Sequence, residues 1–177
     1  GGWLSQHHVE DFAGGTVVHI NAGMAGIALS IVLGKRIGWP KERMRPHNVP
    51  FVLLGAGLLW FGWIGFNAGS ELAADAVAGY ALINTVVATA AAMLGWIVIE
   101  KIRDGHSTTL GAASGLVAGL VAITPACGFI TPVSAIWLGL VAGAICALCV
   151  SLKFKARIDD SLDVFAVHVV GGIIGAL

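Results

Sequence analysis

The chain of 177 residues is 57% apolar and 11% charged, and its ten Lys and Arg balance ten Asp and Glu to a formal net charge of zero. A soluble domain carries roughly a quarter charged residues, so this composition excludes an ordinary soluble globule, and the balanced charge excludes a nucleic-acid surface as the basis of function. Mean hydropathy of +0.88, together with 25 glycines, predicts an all-α polytopic bundle of transmembrane helices.

The chain opens on "GGWLSQHH", without an initiator methionine, and stops inside the apolar run "GGIIGAL"; we read residues 1–177 as a partial domain truncated at both ends. A bilayer core of ~30 Å needs about 20 helical residues. Six stretches meet or approach that length: residues 12–33, 49–68, 76–99, 110–126, 133–152 and 162–177. The fourth is the shortest and ends at "TPACG", where Pro125 and Gly128 break a helix.

All the positive charge falls in three segments, after the first, third and fifth spans: Lys35, Arg36, Lys41, Arg43 and Arg45, then Lys101 and Arg103, then Lys153, Lys155 and Arg157. The positive-inside rule makes that side cytoplasmic. The first span then runs inward and the sixth outward. Gly111, Gly115 and Gly119, Gly65 with Gly69, and Gly139 with Gly143 predict helix faces smooth enough for close backbone approach. The three cysteines, Cys127, Cys146 and Cys149, read as small buried residues, since Cys146 and Cys149 lack the second ligand pair of a structural zinc site.

Two spans carry an ionisable side chain within the apolar run, which is a functional signal because its burial is costly. His19 lies eight residues beyond Asp11, and His168 lies five beyond Asp163 and nine beyond Asp159. At ~1.5 Å per residue both reach the middle third of the bilayer, His19 about 12 Å from the outer face and His168 about 8 to 14 Å from the inner one. Their spans enter from opposite sides, as the halves of an inverted repeat do, and such repeats place their site near the midplane. The alternative is two unrelated histidines, each satisfied by a neighbouring helix. Asp11 and Asp163 also read as helix N-caps. Neither His has a carboxylate or thiol near it in its own span, so no metal or other cofactor is expected. Two neutral imidazoles side by side offer a donor and an acceptor to a small polar solute, which suits permeation better than hydrolysis. In the second span, "LLWFGWIGFNAGS" sets Trp63, Phe66 and Ser70 on one helix face. That stripe either binds a small ammonium-type cation at an outer mouth or is an ordinary packing face.

The stretches "DFAGGTVVHINAG", "FGWIGFNAGS", "NTVVATAAAMLGW", "TPACG" and "DVFAVHVVGG" together closely resemble, in order, segments of the ammonium transporter (Amt/MEP/Rh) family, and most nearly its bacterial Amt branch. The resemblance covers nearly the whole chain. It implies an eleven-span homotrimeric transporter of the cell membrane, not an enzyme, with an inverted repeat of which this chain supplies the fifth to tenth spans. It makes His19 and His168 the twin pore histidines, Phe66 a gate residue, Ser70 the hydroxyl of the outer recruitment site and Trp63 a pore-wall residue. Asp11 becomes the acid behind the recruitment site, and Asp163 the family acid at the inner end of the pore. The substrate implied is ammonium, with methylammonium as analogue; ammonium is deprotonated near the gate and ammonia passes the histidines. The cytoplasmic loops, residues 35–45 above all, are implied as docking surfaces for a PII-class signalling protein. Three other readings stand beside this one: an ammonium sensor of the same fold, a Rh-type conductor of other neutral gases, and a membrane metalloenzyme with the two histidines as ligands.

Overall fold

A computed structural model describes residues 2–42 and 44–177, so Arg43 of the first basic segment lies outside the described residues. Every regular element among them is helical: a short α1 (Trp3–Gln6), a π-helical segment (Gly15–Ile20) continuing into α2 (Asn21–Leu33), α3 (Val49–Gly69), α4 (Ala76–Asp104), α5 (Thr109–Ile123), α6 (Pro132–Cys149), α7 (Leu152–Ala156), and a second π-helical segment (Phe165–Val170) continuing into α8 (Gly171–Ala176).

The starts of four long helices follow from local side chains that satisfy orphan amides. Asn48 accepts from the Phe51 amide, Asp75 from those of Val77 and Ala78, Thr108 from Gly111 and Thr131 from Ser134. Proline in the first turn of α3 and of α6 marks the same boundary, because its missing N–H is not needed there. At the far end of α4, Gly105 takes the left-handed conformation at φ 80° and stops the helix.

Among the described residues four helical stretches are long and apolar enough to cross a membrane: Gly15–Leu33, Val49–Gly69, Ala76–Asp104 and Pro132–Ala156. The other two expected spans are shorter. The fourth helix ends at Ile123 rather than at residue 126, and the sixth begins at Phe165 rather than at residue 162. Past Ile123 the chain turns through Pro125, and this irregular backbone is tolerated because protein groups satisfy it. Phe12 N–H donates to the Pro125 carbonyl at 2.9 Å, and Asn84 Nδ2 donates to the carbonyls of Cys127 and Ile130 at 2.8 and 2.7 Å.

The core is a mutual packing of α4, α5 and α6, with α4 against both of the others. Leu120, Val121, Ala122 and Ile123 are wholly buried. A Cβ on Gly115 would sit 3.0 Å from the Ala92 carbonyl oxygen, one on Gly119 would sit 2.8 Å from Thr89 Cα, and Gly139 and Gly143 press on the carbonyls of Ala88 and Ala92. These glycines act as expected, by letting backbones touch. Gly65 and Gly69 do not: a Cβ on either meets nothing within 4 Å, because α3 lies at the edge of the bundle and that face has no neighbour within the chain.

The basic segments gather at one end. Arg36, just beyond α2, clamps Asp159, Trp39 stacks on Phe154 at 5.9 Å, and Arg103 donates to the Ala147 carbonyl at 2.7 Å. Phe12, Asn84 and the Pro125 turn close the opposite end.

Candidate functional site

Both histidines sit in the two π-helical segments, His19 in Gly15–Ile20 and His168 in Phe165–Val170. π-Turns are rare and concentrate at functional sites, since the extra residue per turn redirects a side chain. Each segment is built on the same pattern, Asp-x7-His-x3-Gly: Asp11, His19 and Gly23 in one, Asp160, His168 and Gly172 in the other. Asp11 Oδ2 accepts from the amides of Thr16 and Val17 at 3.1 and 3.3 Å. Asp160 accepts from Val164 N–H at 3.0 Å with one oxygen and from Phe165 N–H at 2.9 Å with the other. The glycines then let each helix approach its counterpart. A Cβ on Gly23 would lie 3.0 Å from Val169 N and 3.2 Å from His168 Cβ, and one on Gly172 would lie 2.8 Å from Ile20 Cγ1 and 3.1 Å from the Gly15 carbonyl oxygen.

The consequence is a ring cluster. The His19 and His168 imidazoles have centroids 5.7 Å apart, Trp63 stacks on His19 at 4.9 Å and 24°, and Phe66 stands 6.1 Å from His19 and 5.6 Å from Trp63. Thr124, wholly buried at the end of α5, joins them: its hydroxyl lies 3.2 Å from His19 Nε2 and accepts from Trp63 Nε1 at 2.9 Å. His19 is buried, and His168 Nδ1 is buried with no hydrogen-bond partner. A cavity of about 390 Å³, lined by Val18, His19, Leu58, Leu59, Gly62, Trp63 and Phe66, opens beside the cluster. An apolar space with His19 on its wall disfavours a bare ion and suits a small neutral hydrogen-bonding solute. Ser70 caps α3, one turn beyond Phe66, and its hydroxyl donates to the Phe66 carbonyl at 2.7 Å, which leaves its oxygen lone pairs to accept. Among the described residues no group of three or more His, Cys, Asp or Glu stands together as a metal ligand set.

The sequence profile of the Ammonium Transporter Family matches residues 1–177. The chain belongs to the ammonium transporter family. It is 62% identical over 178 residues to an ammonium transporter of Mycobacterium tuberculosis and 52% identical to one of Bacillus subtilis, covering all of this chain and 37% and 44% of those relatives. It therefore spans well under half the length of these relatives. Among solved structures it is similar to Mep2 of Saccharomyces cerevisiae, at a TM-score of 0.87 and 44% identity over 98% of this chain and 39% of that one. A structure described as a sensor Amt protein gives 0.93 and 38%, over 99% and 45%. As a member of this family with several apolar helices, the chain is part of a multi-pass membrane protein of the cell membrane.

Of the acids singled out in the sequence of this ammonium transporter family member, Asp11 does cap its helix, but Asp163 is not its counterpart. Asp163 stands five residues before His168, as Gly14 does before His19, and both take a left-handed φ, 56° and 99°. The Asp163 carbonyl accepts from Val167 N–H as the Gly14 carbonyl accepts from Val18 N–H, and its carboxylate pairs with Lys153 Nζ at 2.6 Å. The expectation of an N-cap at Asp163 is thus corrected to Asp160, whose two oxygens take the helix-start amides while the Asp163 carboxylate is held by Lys153. The equal eight-residue spacing of Asp11–His19 and Asp160–His168 was the signal. Thr124 opens the "TPACG" stretch, but nothing along the chain says what its hydroxyl binds. Its role comes from three elements converging on it.

Behind Asp160, Asp159 is buried against Arg36, whose backbone amide and Nε both donate to Oδ2 at 2.8 Å while Nη2 donates to Oδ1 at 2.6 Å. These hydrogen bonds hold the Asp159 carboxyl below the usual carboxylate range. Arg36 follows the helix of His19, and Asp159 precedes that of His168. The clamp therefore ties the two histidine helices together at their basic end.

Proposed function

We propose that this chain forms the pore-lining portion, the fifth to tenth of eleven spans, of an ammonium transporter working as a homotrimer with its basic loops in the cytoplasm. Ammonium is recruited at an outer mouth by the Ser70 hydroxyl and the faces of Phe66 and Trp63, which attract a cation. It gives up its proton near Phe66 and crosses as ammonia past His19 and His168, because carrying the desolvated ion through so apolar a space is costly. The observation that supports this most is the pairing of the two imidazoles across two helices of matching Asp-x7-His-x3-Gly pattern, beside an aromatic-lined cavity. Asp11 and Asp163 support the path from its ends, the first through its helix cap and the second through Lys153. The loop of residues 35–45, with Arg36 part-exposed, offers a basic docking surface to a PII-class signalling protein.

The deciding experiment is ammonium-evoked current and methylammonium uptake in proteoliposomes of the full-length protein, compared with His19→Ala and His168→Ala. Loss of flux or changed ion selectivity in both variants is expected. Unchanged flux returns the histidines to a packing role. A second reading, an ammonium sensor of the same fold, draws on the likeness to the sensor Amt protein; ammonium binding without measurable flux favours it.

A further inference from the structure

We infer that Thr124 is a positioning residue that fixes the tautomer of His19, so that His19 carries its proton on Nε2 and presents a bare Nδ1 acceptor. The argument is a count of hydrogens at one hydroxyl. A threonine hydroxyl has one hydrogen to give and two lone pairs with which to accept. The Thr124 hydrogen goes to the Leu120 carbonyl oxygen at 2.7 Å, a group that can only accept. Trp63 Nε1–H can only donate, and at 2.9 Å it takes one lone pair. What remains toward His19 Nε2, 3.2 Å away, is the second lone pair. The nitrogen must therefore bring the proton.

A neutral imidazole has a single N–H, so Nε2–H leaves Nδ1 unprotonated. Thr124 is wholly buried and His19 nearly so, so the Nε2 side of the ring faces the protein hydroxyl. The same hydroxyl also holds the Trp63 ring stacked on His19. One side chain thus sets the polarity of the first imidazole and the plane of the ring that covers it. His168 is different: its Nδ1 has no protein partner, so no hydroxyl dictates where its proton sits. On the transport reading proposed above, on which this consequence rests, His19 accepts an N–H from the passing solute or a proton from His168, and does not donate to the solute.

The test is nitrogen NMR of the full-length protein with histidine rings labelled by nitrogen-15, the His19 signals being assigned by their loss in His19→Gln. The expected pattern is a protonated Nε2 and an unprotonated Nδ1 in the unaltered protein and in Thr124→Ser, with loss of that single pattern in Thr124→Val. Trp63→Phe, which frees a lone pair but leaves the Leu120 bond, is expected to keep it. A protonated Nδ1 in the unaltered protein overturns the inference even if Thr124→Val does not fold, and so does an unchanged pattern in a folded Thr124→Val. The readout is a ring nitrogen and not a flux, so its failure is separable from failure of the transport reading, which His19→Ala and His168→Ala decide.

Discussion

The two Asp-x7-His-x3-Gly helices share spacing, π-winding and a glycine at the crossing, yet they hold their histidines differently. In the first, Asp11 gives one oxygen to the helix start and the imidazole is anchored by Thr124. In the second, Asp160 gives both oxygens, its neighbour Asp159 is clamped by Arg36, and Asp163 is paired with Lys153, while His168 Nδ1 has no partner. One helix fixes its ring and leaves its entry lightly held. The other secures its entry and leaves its ring free.

The crossing itself gives the largest expected effect. Gly23→Val and Gly172→Val push side-chain atoms into Val169 and Ile20 and into backbone, and overpacking of this kind costs about 1 to 3 kcal/mol or more. Both variants of the full-length protein should show a marked fall in melting temperature in detergent together with loss of methylammonium uptake. Gly65→Ala, whose Cβ meets nothing within 4 Å in this chain, is the reference against which that fall is read. A Gly172→Val protein as stable as Gly65→Ala would disprove the close crossing.

The helix entries come next. A lost N-cap costs roughly 0.5 to 2 kcal/mol, and Asp160 serves two amides with two oxygens where Asp11 serves two with one. Asp160→Ala is expected to lower the melting temperature more than Asp11→Ala, with Asp160→Asn between them. The reverse order would show that the two helix entries are not held unequally.

Asp163 should respond to backbone as much as to charge. At φ 56° it occupies a conformation that Asn tolerates and β-branched residues do not. Asp163→Asn is expected to cost little, and Asp163→Val to cost clearly more, in the same thermal scans. Equal losses would mean that the Lys153 ion pair alone matters.

The smallest effect concerns pH. Asp159 has its carboxyl held below the ordinary range by Arg36, so the folded protein binds its proton less readily than the unfolded chain does. The contribution of this clamp is fully present above the ordinary carboxylate value of about 3.9 and is lost as pH falls through the lowered folded value. Arg36→Gln should lower stability by the same amount throughout the range above that window and flatten the acid part of the profile, the two proteins converging in stronger acid. A profile identical to that of the unaltered protein would show that the clamp carries no linkage.

Much of this was legible along the chain. Apolar runs of membrane length, the breaker at Pro125 and the confinement of Lys and Arg to three segments are local properties, and local properties are what a sequence states directly. So are the two histidines, because an imidazole in an apolar run stands out by composition alone. The tertiary structure alone decided which acid serves which helix, since eight residues of spacing acquire meaning only once both π-segments are seen. It also decided that Gly139 and Gly143 press on α4 while Gly65 and Gly69 face nothing in the chain, a difference of neighbours and not of residue type. Thr124 is the clearest case: its function is the meeting of an α5 carbonyl, an α3 indole and an imidazole 105 positions away. Hydrogen-bond valence is satisfied in space, and no periodicity along the chain records it.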